Sequence, residues 1–146
     1  MKLSTRGRYG LRAMLDLAVF SNGEHVSLCS IAERQNISDN YLEQVFSILR
    51  KAGLIRSVKG AQGGYILGDE PQNIKVGTIL RVLEGSLSII DENEADGTGE
   101  NFFQKCIKKN VWDKLNACIN QTVDSITLAD LVEEYKNQNE TPMYYI

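Results

Sequence analysis

The chain predicts a mainly α fold with a small β-hairpin wing: a winged helix-turn-helix DNA-binding domain plus a long C-terminal dimerisation helix. Three observations predict it. Residues 27–68, SLCSIAERQNISDNYLEQVFSILRKAGLIRSVKGAQGGYILG, pass without a gap through an amphipathic segment, a turn, a second amphipathic segment and a glycine-centred hairpin. The net charge of -3 hides a division, with nine Lys and Arg against five acids through Gly68 and seven against fourteen from Asp69 onward. A basic half can meet phosphates while an acidic half faces solvent or a partner. Finally, Phe103, Ile107, Val111, Leu115, Ile119 and Val123 recur at every fourth position, more apolar surface than a lone helix can bury.

The first helix starts at Ser4 or Thr5, either of which can cap an N-terminus. Leu11, Met14, Leu15, Ala18 and Val19 mark its buried face, and Ser21, Asn22 and Gly23 end it. Ser27 opens a shorter helix that buries Leu28, Ile31 and Ala32. Ser38 caps the third, with Leu42, Val45, Phe46 and Leu49 as its apolar stripe. Its opposite face carries Asn40, Glu43, Gln44, Ser47 and Lys51. Gly53 stops that helix and the period changes, LIRSV and GYIL reading as strands around KGAQG.

Pro71 closes the module, and Val76, Ile79, Leu80 and Leu83 restart a helix that ends at Gly85. Residues 91–100, DENEADGTGE, read as a flexible acidic loop. Phe102, Cys106, Trp112 and Cys118 widen the apolar surface of the long helix, and a short helix follows from Thr127 to Lys136. The expected organisation is a DNA-binding domain over 1–85, a loop over 86–100, the dimerisation helix and short helix over 101–137, and a tail over 138–146.

Several function classes are disfavoured. The hydrophobic 42% and charged 24% are those of an ordinary soluble protein. No apolar run approaches the roughly 20 residues of a spanning helix. MKLSTRGRYG does not read as a signal sequence, so a cytoplasmic protein with no membrane association is expected. Three scattered cysteines suit a reducing compartment. No paired carboxylates sit beside a nucleophile, no cofactor fingerprint occurs, and the only histidine, His25, is isolated. Neither an enzyme nor a metal site is expected.

DNA reading is expected from a set of residues. Asn40, Glu43 and Gln44 fall where a recognition helix meets base edges. Glu43 would accept from a cytosine amino group and Gln44 would pair with adenine. Ser38 and Tyr41 are placed to hold phosphates. Any one of these residues is explained nearly as well by a solvated helix face; the set favours readout. Lys59 stands at the hairpin tip, and Gly60, Gly63 and Gly64 permit close approach to a minor groove. A nucleotide-binding loop would need Gly-Lys-Ser/Thr before a helix, whereas Gly-Tyr opens a strand here. A purely structural hairpin is the remaining alternative. Lys2, Thr5, Arg6, Arg50 and Gln62 complete the expected contact set, while Arg8, Arg12 and Arg56 add charge that is unsorted at this level. Two copies would grip double-stranded DNA at a palindromic operator with half-sites about one helical turn apart.

These stretches resemble the IscR/NsrR/CymR family of winged-helix transcription regulators. STRGRYGLRAMLDLA resembles the opening helix, and ISDNYLEQVFSILRKAGLIRSVKGAQGGYIL the recognition helix and wing. TILRVLEG is similar to the helix after the wing, and VWDKLNACINQTVDSITLADLV to the dimerisation helix and the short helix behind it. The resemblance implies a homodimer with crossing C-terminal helices. Iron–sulfur members carry three closely spaced cysteines before the dimerisation helix; Cys106 resembles the last, and DENEADGTGE holds no other. No cluster is therefore expected, unless carboxylates such as Glu94 or Glu100 substitute.

Cys106, among Lys105, Lys108 and Lys109, reads either as a redox-sensitive thiol or as a small apolar residue on a helix face. Cys29 and Cys118 read as core residues. The tail Met143-Tyr144-Tyr145-Ile146 is similar to that of the cluster-free, CymR-like branch, and this implies cysteine synthase as a partner. An isoleucine carboxylate offers the features of an amino-acid ligand to such a pocket; a tail packed on its own dimer is the competing reading. The function implied is a dimeric repressor of cysteine or sulfur metabolism genes. The alternative is an iron–sulfur or nitric-oxide sensor of the same family.

Overall fold

A computed structural model describes residues 2–90 and 101–140. Serines begin its first three helices. Ser4, Ser27 and Ser38 hold extended backbone while their hydroxyls accept the N–H groups of Arg6, Ser30 and Tyr41. The helices that follow are α1 (Thr5–Phe20), α2 (Leu28–Gln35) and α3 (Asp39–Lys51). Asn36 ends α2 in the left-handed region at φ 55°, the tight turn that sets α3 across α2.

Strands β1 (Ile55–Val58) and β2 (Gly64–Leu67) pair antiparallel, Ile55 opposite Leu67 and Val58 opposite Gly64. Val26 adds a bridge that the alternation did not reveal, its N–H and carbonyl both bonded to Tyr65 at 2.9 and 2.8 Å. Gly64 is required there, since a Cβ would lie 2.5 Å from the Val26 carbonyl oxygen. After a 3₁₀ turn (Pro71–Asn73) comes α4 (Val76–Glu84), closed by Gly85.

The core joins Ala13, Met14 and Leu17 of α1, Ile31 and Ala32 of α2, and the expected stripe of α3 to Ile55, Ile79, Leu83 and Leu128. The buried face of α1 differs from the expected one by a rotation. Ala13 and Leu17 are fully buried, while Leu11, Leu15 and Ala18 are only partly so. The cause is close approach: Gly7 faces Glu84 and Gly10 faces Leu83, with no room for a Cβ at either. Periodicity scores bulk, and the contact is made by residues that have none. Asp16, also on the buried face, accepts from Arg34 at 3.0 and 2.7 Å and from Gln35 at 2.8 Å, tying α1 to α2.

Helix α5 (Phe102–Ile107) runs through a π-helical turn (Lys108–Trp112) into α6 (Asp113–Ser125). Helix α7 (Leu128–Glu140) extends past Lys136, where its end was expected. It is started by reciprocal bonds between Thr127 and Asp130 at 2.9 and 3.1 Å. Cys29 and Cys118 are exposed, against the expectation of core positions. Helix α2 is too short to bury more than Ile31 and Ala32, and α6 turns Ile119 and Val123, not Cys118, toward the body. No helix among the described residues is long and apolar enough to cross a membrane. The acidic stretch 91–100 and the tail from 141 onward lie outside the described residues.

Glu84 clamps the start of α1. Its Oε1 accepts the Ser4 hydroxyl, the Gly7 N–H at 2.8 Å and the Ser4 N–H at 3.0 Å. The Ser4 hydroxyl chiefly, and then the two backbone donors, hold this carboxyl below the usual carboxylate range. A lowered folded pKa contributes stability that is present above the unfolded value and lost as pH falls through the folded one. Glu84→Gln is expected to cost about 1–2 kcal/mol near neutral pH. Urea melts of both proteins should converge on acidification, and a constant gap from neutral pH to about pH 3 would refute the ionic clamp.

Candidate nucleic-acid interface

Apolar packing of one side of α3 leaves the other side free, and the wing stands beside it. Asn40, Glu43, Gln44, Ser47 and Arg50 of α3, together with Tyr65 of β2, line an open groove of about 670 Å³. Amide, carboxylate, hydroxyl and guanidinium groups there offer donors and acceptors in close succession, the chemistry of base-edge recognition. Tyr65 was not among the expected residues. Its ring meets Phe46 edge to face, centroids 4.9 Å apart, and its backbone is bridged to Val26. The residue that seats the wing on α3 therefore also lines the groove. Alternation in GYIL places Tyr65 on a face but cannot say that the face is shared.

At the N-terminal end of α3 the structure joins residues far apart in sequence. Thr5 Oγ1 lies 3.0 Å from the Tyr41 hydroxyl, and Tyr41 packs edge-on against Tyr9 at 6.1 Å. Arg12 sits over the Tyr9 ring at 4.8 Å. Ser38 is occupied as an acceptor by the Tyr41 N–H at 3.2 Å, which leaves its O–H to donate outward.

The cations now sort. Arg34 serves Asp16, Arg12 donates to the Gln35 carbonyl at 2.6 Å, and Arg56 donates to the Gly68 carbonyl at 3.2 Å. Lys2, Arg6, Arg50 and Lys59 are exposed, as is Gln62 beside Lys59 at the hairpin tip. Gly60 takes φ 136°, a conformation that favours glycine in that tip.

Of the residues expected at a dimer face, Phe103 is 82% exposed, Leu115 and Ile107 45% and Val111 40%. Ile119 departs from them, half-buried with Val123 against Val76, Leu80 and Leu87 of its own chain. Phe102 is 89% exposed. Cys106 is exposed, and Asn110 donates to its carbonyl at 2.8 Å. Cys118 follows twelve residues later, about 18 Å along the helix. Cys29 lies on α2, its thiol donating to the Asp39 carboxylate at 3.3 Å, a bond that chiefly raises its pKa. Among the described residues no three His, Cys, Asp or Glu side chains gather as metal ligands, and His25 is exposed. Glu94, Glu100 and Met143, Tyr144, Tyr145 and Ile146 lie outside the described residues.

The family profile for Rrf2, described as an iron-dependent transcriptional regulator, matches residues 3–134. The HTH-type transcriptional regulator CymR of Bacillus subtilis (strain 168) is 42% identical over 146 residues, all of both chains. The HTH-type transcriptional regulator IscR of Vibrio campbellii is 41% identical, over 92% of this chain and 79% of that relative. Among solved structures, T. potens IscR matches with a TM-score of 0.77 at 48% identity, over 99% of this chain and 97% of that one. CymR (YrzC), the global cysteine regulator of B. subtilis, matches with a TM-score of 0.78 at 42% identity, over 92% and 98%.

Groove and tip should differ in what they contribute. Gln44→Ala is expected to relax discrimination at one base pair by about 1–3 kcal/mol while leaving the salt dependence alone. Lys59→Ala should weaken binding to all fragments and lower the salt slope by about 1. Anisotropy titrations on an operator and a scrambled duplex at several salt concentrations separate the two effects. Wild-type behaviour of both variants would remove this surface from DNA recognition.

Proposed function

The chain belongs to the Rrf2 family of transcriptional regulators, and on that basis we propose that it is a cytoplasmic, dimeric repressor of cysteine or sulfur metabolism genes. It is a regulator, not an enzyme. The groove between α3 and β2, lined by polar side chains with exposed Arg50 among them, is the observation that carries DNA reading. In this reading α3 enters the major groove, with Asn40, Glu43 and Gln44 on base edges. Lys59 and Gln62 reach the minor groove, while Lys2, Arg6 and Arg50 neutralise phosphates, and Ser38 and the Thr5–Tyr41 pair, whose mutual bond leaves one O–H to spare, donate hydroxyl bonds to them. The unit so formed is residues 1–85; 86–100 links it in sequence to 101–137, the dimerisation part, and 138–146 is the partner-binding segment.

Dimerisation is supported by Phe103, Ile107, Val111 and Leu115, whose exposure on one helix needs a cover. Burying the 82% exposed Phe103 contributes about 1.5–3 kcal/mol, and Ile107, Val111 and Leu115, already more than half covered, proportionately less. The cysteine assignment is supported by similarity to CymR along the whole chain. The signal in this reading is complex formation with cysteine synthase through Met143, Tyr144, Tyr145 and Ile146.

The family profile names iron, and IscR is among the relatives. The thiols here do not fit a cluster within one chain: Cys106 and Cys118 are too far apart on one helix, and Cys29 is on the DNA-reading head. A cluster-free regulator is the reading this supports. Anoxic reconstitution that yields visible charge-transfer absorbance would favour the iron–sulfur or nitric-oxide sensing alternative, with Cys106 as a ligand.

Deleting Tyr145 and Ile146 is expected to abolish cysteine synthase binding in calorimetry and to leave operator affinity unchanged. Unaltered enzyme affinity would end the tail assignment. Mapping binding sites across the genome tests the regulon, and sites without sulfur-metabolism genes would refute that part alone.

A further inference from the structure

The helix over residues 102–125 serves two surfaces with one apolar line. Phe103, Ile107, Val111 and Leu115 are exposed, whereas Ile119 and Val123, next at the same spacing, pack against Val76, Leu80 and Leu87. The change coincides with a polar ladder at that same spacing, Asn116, Asn120 and Asp124. Asn116 accepts the Ile89 N–H at 2.9 Å and donates to the Ser88 hydroxyl at 3.2 Å. Arg81 of α4 donates to both Asp124 oxygens at 2.7 and 2.9 Å and to Asn120 Oδ1 at 2.8 Å. Gly77, one turn earlier on α4, leaves the room, since a Cβ there would overlap Asp124 and crowd Arg81.

We infer that Arg81, with Asn116, Asn120 and Asp124, is the joint that sets the angle between each DNA-reading head and the helical stem, and hence the half-site spacing a dimer accepts. The inference rests on the dimer proposed above. Apolar contact is non-directional and lets packed helices slide. A planar guanidinium held by three oxygens on two successive turns of α6 is directional. Beyond the joint, residues 102–115 extend about 20 Å, so a tilt of about 10° moves their far end by about 3.5 Å, close to one base-pair step of duplex. Angular precision at the joint is therefore precision in register on DNA. Arg81 and Asp124 side chains are each 36% exposed, so their loss should disturb the angle more than the folding.

The test uses the full-length protein with a half-site duplex and palindromes of native spacing or changed by one base pair. Wild type is expected to lose about 10-fold or more in affinity on the altered palindromes. Arg81→Gln and Asp124→Asn should shrink that ratio to within about 3-fold, with half-site affinity, salt slope and sedimented dimer unchanged. Arg81→Lys, which keeps charge but loses the fork, should fall between. Dimeric variants with the wild-type ratio would overturn the joint alone, as would equal loss on every duplex including the half-site. A monomeric wild type would instead overturn the dimer reading, and the joint with it.

Discussion

The contact between Phe46 and Tyr65 holds the groove between α3 and the wing together. Phe46 is fully buried at the centre of α3, between the polar residues Gln44 and Ser47. Its ring takes Tyr65 edge to face, an arrangement that adds about 0.5–1.5 kcal/mol to the burial itself. Backbone bonds from Val26 fix Tyr65 from behind. One aromatic pair thus converts an independent helix and hairpin into two walls of a single groove. A hairpin of two four-residue strands would be marginal alone, so the wing takes its stability from the helix it accompanies.

Helix α4 distributes that rigidity. One end clamps the start of α1 through Glu84, next to the Thr5–Tyr41 pair at the head of α3. Its middle grips α6 through Arg81, and its apolar face fills the core with Ile79 and Leu83. Glycines make both polar clamps possible, Gly7 under Glu84 and Gly77 under Asp124, because only a missing Cβ lets a carboxylate approach the backbone of a neighbouring helix so closely.

What was legible in the sequence follows from range. Serine caps, the α3 stripe, the Gly85 stop and the hairpin are local, dictated by residues within one or two turns, and the structure places them where the pattern does. The polar face of α3 was legible for the same reason. Contacts between distant segments were not. The glycine-led face of α1, Asp16 beneath Arg34 and Tyr65 in the groove arise from partners 18 or more residues away. The cysteines mislead differently: a small thiol scores as apolar, but the short α2 and the one-sided seat of α6 leave Cys29 and Cys118 outside.

Charge then gains a direction that composition lacks. The head carries nine bases against five acids through Gly68, in a chain whose net charge is -3. Arg34, Arg12, Arg56 and Arg8 are engaged with acceptors in the protein, which leaves Lys2, Arg6, Arg50, Lys51 and Lys59 as the exposed, uncommitted cations of that half. The acidic remainder of the chain repels a duplex. Opposed fields of this kind steer an approaching polyanion toward one face before any base is read. A negative net charge is therefore compatible with DNA binding when the positive share is gathered on the surface that geometry has shaped for it.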